Sequence, residues 1–242
     1  NVDYKNEVFM KTSTKMKLGS LAAVLASGLV MSGSALAVGG GGGGGCSVDR
    51  ETSFGSVFYV PSGGNGTYNI LGWGNGTGGT SSTYRGLLES VAEQCVLVAA
   101  ATTANSGTGQ EVAASVNAAK SRYRNIVGSN PKVCTSGHSQ GGGGSFNAAN
   151  RLDADCVIAV QPDTVYTTSI YRPVASDVDV VCIFSTADVL APALPFNAGN
   201  CRRNATRYTQ ELTSGTHFAP TSGDGGAPGQ VMREYAERWL VN

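Results

Sequence analysis

Residues 96–101 (VLVAAA) form an unbroken apolar run, too short to be an amphipathic helix and suited to a strand buried on both faces. Further short segments read as strands at 56–60, 68–73, 132–136, 157–160, 180–185 and 208–213. Helical patterns separate several of them, at 82–94, 112–126, 140–150 and 229–240. In the second of these, Val112, Val116, Ala119, Tyr123 and Ile126 recur on one helical face, and Gly128 and Pro131 stop the pattern. In 82–94 the repeating apolar residues are Leu87, Leu88, Val91 and Ala92. Such alternation predicts an α/β chain built on a mostly parallel central sheet flanked by helices.

The first part of the chain reads differently. Asn1 is not an initiator, so the frame is expected to open upstream of a start at Met10. A basic segment, Lys11 to Lys17, precedes a weakly apolar run broken by Gly and Ser, and Ala35-Leu36-Ala37 completes a small-x-small cleavage site. Residues 1–37 are therefore expected to be an extension plus a signal peptide, with no stable membrane insertion after cleavage. Residues 38–45, seven of them Gly, read as a tether, and 46–242 as one catalytic domain. The expected location is outside the cytoplasm, extracellular or periplasmic.

Export makes disulfides permissible for the six Cys, all of which follow residue 45. Cys134 and Cys182 sit within apolar strand runs and are expected to be buried thiols instead. The whole chain has 17 basic and 17 acidic residues; beyond residue 37 there are 13 and 15. That balance argues against a nucleic-acid partner, which calls for a basic excess. Two His and no CxxC pair leave little material for zinc, and no metal or cofactor is expected. The oligomeric expectation is a monomer.

The chemistry converges on one turn. Gly137-His138-Ser139-Gln140-Gly141 matches G-x-S-x-G, in which small neighbours let the backbone turn sharply and lift a Ser hydroxyl above the sheet edge. In a chain with 34 Gly the pattern alone is weak. Its context is what counts: an apolar strand enters and a small-residue helix leaves. A Ser nucleophile needs a base. His138 is its immediate neighbour and is directed elsewhere by the turn, so His217, in the loop after the last strand, is the expected base. A carboxylate must then hold the imidazole. Asp153, Asp155, Asp177 and Asp179 precede strands and so fall at the wrong end of the sheet. Asp188 follows the 180–185 strand at the carboxyl edge and is preferred over Asp163, which follows the strand before it. Two N–H donors should face the developing oxyanion: that of Gln140, and that of Thr77 (or Gly76) in the Gly-rich turn after Trp73.

Gly72–Thr77, Thr135–Gly144, Asp188–Pro192 and Gly215–Phe218 together resemble a bacterial α/β-hydrolase, most of all the cutinase-like and poly(ethylene terephthalate) hydrolase branch with its dienelactone-hydrolase-like relatives. The resemblance covers roughly 55–240. It implies the α/β-hydrolase fold, a Ser139–His217–Asp188 triad, oxyanion donors at Thr77 and Gln140, and a secreted carboxylesterase acting on esters or polyesters. Gln161-Pro162-Asp163-Thr164 stands where polyester-cleaving members carry a Trp, so triad chemistry is implied more directly than cleavage of aromatic polymers. The alternatives are a lipase, short-chain esterase or aliphatic polyester depolymerase, and, lower, a non-catalytic binding protein on the same scaffold. Only 49 residues separate Ser139 from Asp188, too few for an inserted lid domain, so an open cleft is expected. Tyr166, Tyr171, Leu190 and Phe218 are candidates to line an acyl groove. Trp73, Gly76 and His138 are further substrate-side candidates.

Overall fold

The computed structural model describes residues 45–64, 66–168 and 171–242; the signal peptide expected within 1–37 and the tether expected at 38–45, except Gly45, lie outside these residues. Eight strands form one sheet: β1 (Ser47–Ser53), β2 (Ser56–Ser62), β3 (Ile70–Gly74), β4 (Leu97–Ala101), β5 (Val133–His138), β6 (Cys156–Val160), β7 (Asp179–Ser185) and β8 (Arg207–Thr213). Their spatial order is β1-β2-β4-β3-β5-β6-β7-β8. From β4 onward across the sheet all pairings are parallel, whereas β1–β2 and β2–β4 are antiparallel. Among the described residues the α-helices are α1 (Arg85–Ala92), α2 (Gln110–Arg122), α3 (Arg124–Val127), α4 (Gln140–Leu152), α5 (Ala198–Arg203) and α6 (Gly226–Ala236).

Period-two alternation along the strands divides the core into two layers. Phe58, Ile70 and Leu97 face Val116 of α2, Phe146 of α4 and Cys201 of α5. Their strand neighbours Tyr59, Leu71 and Val98 face Leu87 and Val91 of α1 and Met232 of α6. Strands buried on both faces carry no polar alternation, which is why 96–101 reads as a solid apolar run. Each fully buried Leu, Ile, Val or Phe contributes about 2 kcal/mol.

Three expectations need correction. β1 was not anticipated: its sequence SVDRETS has only Val48 to bury, because it is a solvent-facing edge strand. It is held instead by its hairpin to β2, whose two turn residues, Phe54 and Gly55, have φ of 53° and 71°, as a type I′ turn requires. The helix expected over 112–126 breaks at Tyr123 (φ −108°, ψ 25°), where the Tyr hydroxyl donates to Glu51 of β1 at 2.8 Å. Cys134 and Cys182 are not thiols. Cys134 is the cross-strand neighbour of Cys156 and is bonded to it, and Cys182 of β7 is bonded to Cys201 of α5. A third disulfide joins Cys46 to Cys95. An apolar setting does not distinguish a buried thiol from a buried cystine, and the strand register that pairs these residues is not written in either run.

At the start of α4 backbone packs directly on backbone. A Cβ on Gly141 would collide with the carbonyl of Gly74 in β3, one on Gly137 with the carbonyl of Gly141, and one on Gly144 with the carbonyl of Ser106. Ala is the better helix former by about 1 kcal/mol, so Gly144→Ala separates propensity from packing. We expect it to lower the unfolding free energy by about 3 kcal/mol in urea denaturation, because backbone rather than a movable side chain is struck. A gain in stability would contradict this packing.

Candidate active site

Where β5 passes into α4, Ser139 adopts φ 55° and ψ −118°. A non-glycine residue in that region carries about 1–3 kcal/mol of strain and persists only where its surroundings determine it. Here the Ser139 N–H donates to Val160 O (3.1 Å), and its carbonyl accepts from Gly143 N (3.0 Å) and Asp163 N (3.0 Å). The side chain is thereby turned to the carboxyl edge of the sheet, where the chain segments after β7 and β8 also arrive.

Those two segments are tied together, Thr186 N to Thr213 O at 2.9 Å and Ala187 N to Gly215 O at 3.1 Å. They bring Asp188 and His217 to Ser139. Asp188 Oδ2 lies 2.8 Å from His217 Nδ1, and His217 Nε2 lies 3.0 Å from Ser139 Oγ. All three side chains are buried. The Asp188 Oδ1 atom accepts the N–H groups of Leu190 and Ala191, each at 2.9 Å. Burial pushes the Asp188 carboxyl up, but the bonds from His217 and these backbone groups outweigh it and hold the pKa below the ordinary value. The ionised Asp188 fixes the proton on His217 Nδ1, leaving Nε2 free to accept from the Ser hydroxyl. That is the geometry of an activated nucleophile.

The competing carboxylates are placed elsewhere. Asp163 accepts the N–H groups of Val165, Tyr166 and Thr167 and shapes its own loop. Asp155 accepts from Val133 N at the opening of β5, and Asp179 opens β7, both at the opposite sheet edge. Of the oxyanion candidates, the Gly76 N–H is engaged by Tyr84 Oη (3.2 Å), which leaves Thr77, a residue lining the cavity beside Ser139, as the candidate. Gln140 is the first residue of α4; its N–H has no acceptor within the helix and lies at the positive end of the helix dipole.

A cavity of about 240 Å³ adjoins Ser139, walled by Thr77, Thr83, Tyr84, His217, Phe218 and Thr221, and also touched by Gly76 and His138. Larger hollows of about 560 and 480 Å³ lie elsewhere, beside Asp155 and Trp239 and beside Gly107 and Arg172. Neither includes Ser139, so chemistry and not size selects the site. Among the described residues no three His, Cys, Asp or Glu side chains gather as metal ligands would.

Several substrate-side expectations need revision. Trp73 is fully buried and packs edge-on against Tyr84 at 5.1 Å, because its side chain falls, with that of Leu71, on the face of β3 covered by α1. Tyr171 packs on Phe146 at 4.5 Å and belongs to the core. Tyr166 and Leu190 are exposed on the same sheet edge but stand outside the cavity. Phe218 does line it, edge-on to His217 at 5.7 Å. His138 is directed away from Ser139 as expected, yet it is buried within the site, its ring 4.6 Å from that of His217. Tyr84 and Gln161, which hold His138, were not anticipated. Gln161 carried one signal: a polar residue directly after a buried strand at the carboxyl edge.

No known family's sequence model matches this chain, and no curated protein matches it.

Burial, and then the charge of neighbouring His217, lower the His138 pKa from 6.5 to about 3; the bonds to His217 O and Gln161 and the charge of Asp188 oppose this only partly. Between those two values the unfolded chain binds a proton that the folded chain does not. Stability is therefore complete above pH 6.5 and is lost as pH falls toward 3. Urea unfolding across this window should show a decline of about 1 kcal/mol per pH unit from this group, and His138→Gln should remove that contribution. A slope unchanged by the substitution would contradict a buried neutral His138.

Proposed function

We propose that the protein is an exported serine carboxylester hydrolase of the α/β-hydrolase type, working through an acyl-enzyme. The observation that carries this reading is the unbroken hydrogen-bond chain Asp188–His217–Ser139 on a strained strand-to-helix turn. The mostly parallel sheet flanked by helices is compatible with that fold. Three disulfides favour an oxidising destination, and no helix among the described residues is long and apolar enough to cross a membrane.

Ser139 Oγ attacks the ester carbonyl as His217 Nε2 removes its proton. The carbonyl oxygen becomes an oxyanion, met by the N–H groups of Thr77 and Gln140. Asp188 stabilises the imidazolium without taking its proton. His217 then protonates the departing alcohol, leaving Ser139 acylated. A water molecule, deprotonated in turn by His217, attacks the acyl carbonyl, and Ser139 leaves with the proton restored. Nothing in this sequence calls for a cofactor.

The substrate proposal follows from the surface around the cavity. Tyr166, Val189, Leu190, Leu194, Phe196 and Phe218 are all exposed in the segments that follow β6, β7 and β8. Such a rim suits apolar and polymeric esters, as the likeness to the cutinase-like and polyester hydrolase branch implies. One observation favours the aliphatic reading over an aromatic polymer. The 161–164 segment offers no ring to the cavity: Gln161 is turned inward to His138 and Thr216, and Asp163 and Thr164 bind within their own surroundings.

Ser139→Ala is expected to reduce turnover of p-nitrophenyl butyrate by about 10⁶-fold, to the residual rate that oxyanion donors and binding supply, and to abolish labelling by a fluorophosphonate. Asp188→Asn is expected to lower kcat by about 10⁴-fold while the fold is retained. Labelling that survives Ser139→Ala would overturn the assignment, and a wild-type chain that is never labelled would favour a binding protein. Product release from aliphatic but not aromatic polyester films is the outcome expected from the 161–164 segment.

A further inference from the structure

Tyr84, just before α1, and Gln161, just after β6, meet on the imidazole of His138. The Gly76 N–H donates to Tyr84 Oη at 3.2 Å, so the Tyr84 proton is free to point at His138 Nδ1, 2.9 Å away. On the other side, His138 Nε2 faces the His217 carbonyl at 2.8 Å and Gln161 Oε1 at 3.1 Å. Gln161 donates its amide nitrogen to Thr216 O at 2.8 Å, which orients its oxygen toward His138. Both neighbours of Nε2 are therefore acceptors, and Nε2 must hold the imidazole proton. The bonds run one way, from Gly76 N–H through Tyr84 and His138 to the carbonyl of His217.

Resting on the reading of Ser139 as nucleophile, we propose that Tyr84, His138 and Gln161 are positioning residues, a relay that holds the turn bearing the Thr77 donor and the loop bearing His217 in register across Ser139. Tyr84 and His138 are each 3% exposed and Gln161 is fully buried, so their effect runs through the two segments they bind. Thr77 directly follows Gly76, so releasing the Gly76 N–H frees the oxyanion donor. On the base side, the 216–217 backbone has two anchors in the relay, Thr216 O on Gln161 and His217 O on His138. The groups facing His138 are Tyr84, Gln161, His217 and, beyond it, Asp188; burial keeps the ring neutral among them. A neutral ring beside His217 leaves the imidazolium that forms there without a competing cation.

Two measurements test the relay. The untagged chain has two His, so ¹⁵N spectra of its imidazoles contain two side chains, assigned with His138→Gln. One is expected to remain the neutral Nε2–H tautomer from pH 5 to 9. A His138 that titrates in this range, or carries its proton on Nδ1, would overturn the relay. Tyr84→Phe keeps the ring packed on Trp73 and removes only the hydroxyl. It is expected to lower kcat on p-nitrophenyl butyrate by about 10- to 100-fold with KM changed by less than about threefold. On the corresponding thionoester, whose sulfur is a poor acceptor from oxyanion donors, the loss is expected to shrink to about twofold or less. Equal losses on both esters would mean a merely structural role, and no loss would likewise overturn the relay. If Tyr84→Phe does not fold, the tautomer of the wild-type chain decides. A wild-type chain that neither turns over ester nor takes a fluorophosphonate removes the nucleophile reading and the purpose of the relay with it. An active wild type with an unaffected Tyr84→Phe variant removes the relay alone.

Discussion

Gly137, Gly141 and Gly144 let α4 approach the backbones of β5, β3 and the segment at Ser106 more closely than any Cβ permits, and the site depends on that approach. Four successive Gly at the start of α4 disfavour a helix by about 1 kcal/mol each. In isolation this segment would not hold its first turn. Packing against Gly74 and Ser106 supplies what propensity lacks, and the three backbone bonds at Ser139 hold its strained φ and ψ. The result is a helix whose first free N–H group, on Gln140, begins immediately beside the hydroxyl of Ser139.

The sheet does the rest of the gathering. Ser139, Asp188 and His217 follow β5, β7 and β8, so parallel pairing delivers them to one edge although 78 positions separate the first from the last. Two disulfides brace the strands that lead to Ser139 and Asp188: Cys134–Cys156 links β5 to β6, and Cys182–Cys201 links β7 to α5. In the chain-entropy view each removes roughly 3 kcal/mol of freedom from the unfolded chain. Rigid strands and short loops are what keep a site that must act at about 3 Å within tolerance.

What was legible in the chain was whatever local pattern determines. Buried strands announce themselves as apolar runs, and the elbow needs Gly on both sides of its Ser. Asp188 and Asp163 both lie three residues past a strand end, so local spacing places either at the carboxyl edge, and only the bond to His217 separates them. The edge strand β1 could not be read, since a strand with one solvated face and one open side needs few apolar residues. Nor could the Cys pairings, because they are set by register between strands and by the approach of α5. The role of His138 was hidden for the same reason. Its partners Tyr84 and Gln161 are 54 and 23 positions away and meet it only after α1 and β6 have docked. Trp73 stands two residues beyond Leu71, so alternation along β3 carries its ring into the layer under α1 and away from the cavity.

The central claim is that Ser139 is a nucleophile facing two backbone donors. A crystal structure of the chain after reaction with an alkyl fluorophosphonate tests it most directly. The account predicts phosphorus bonded to Ser139 Oγ, with the phosphonyl oxygen about 2.7–3.1 Å from both the Thr77 and Gln140 nitrogens. An adduct on another residue, or a phosphonyl oxygen turned away from both donors, would contradict it.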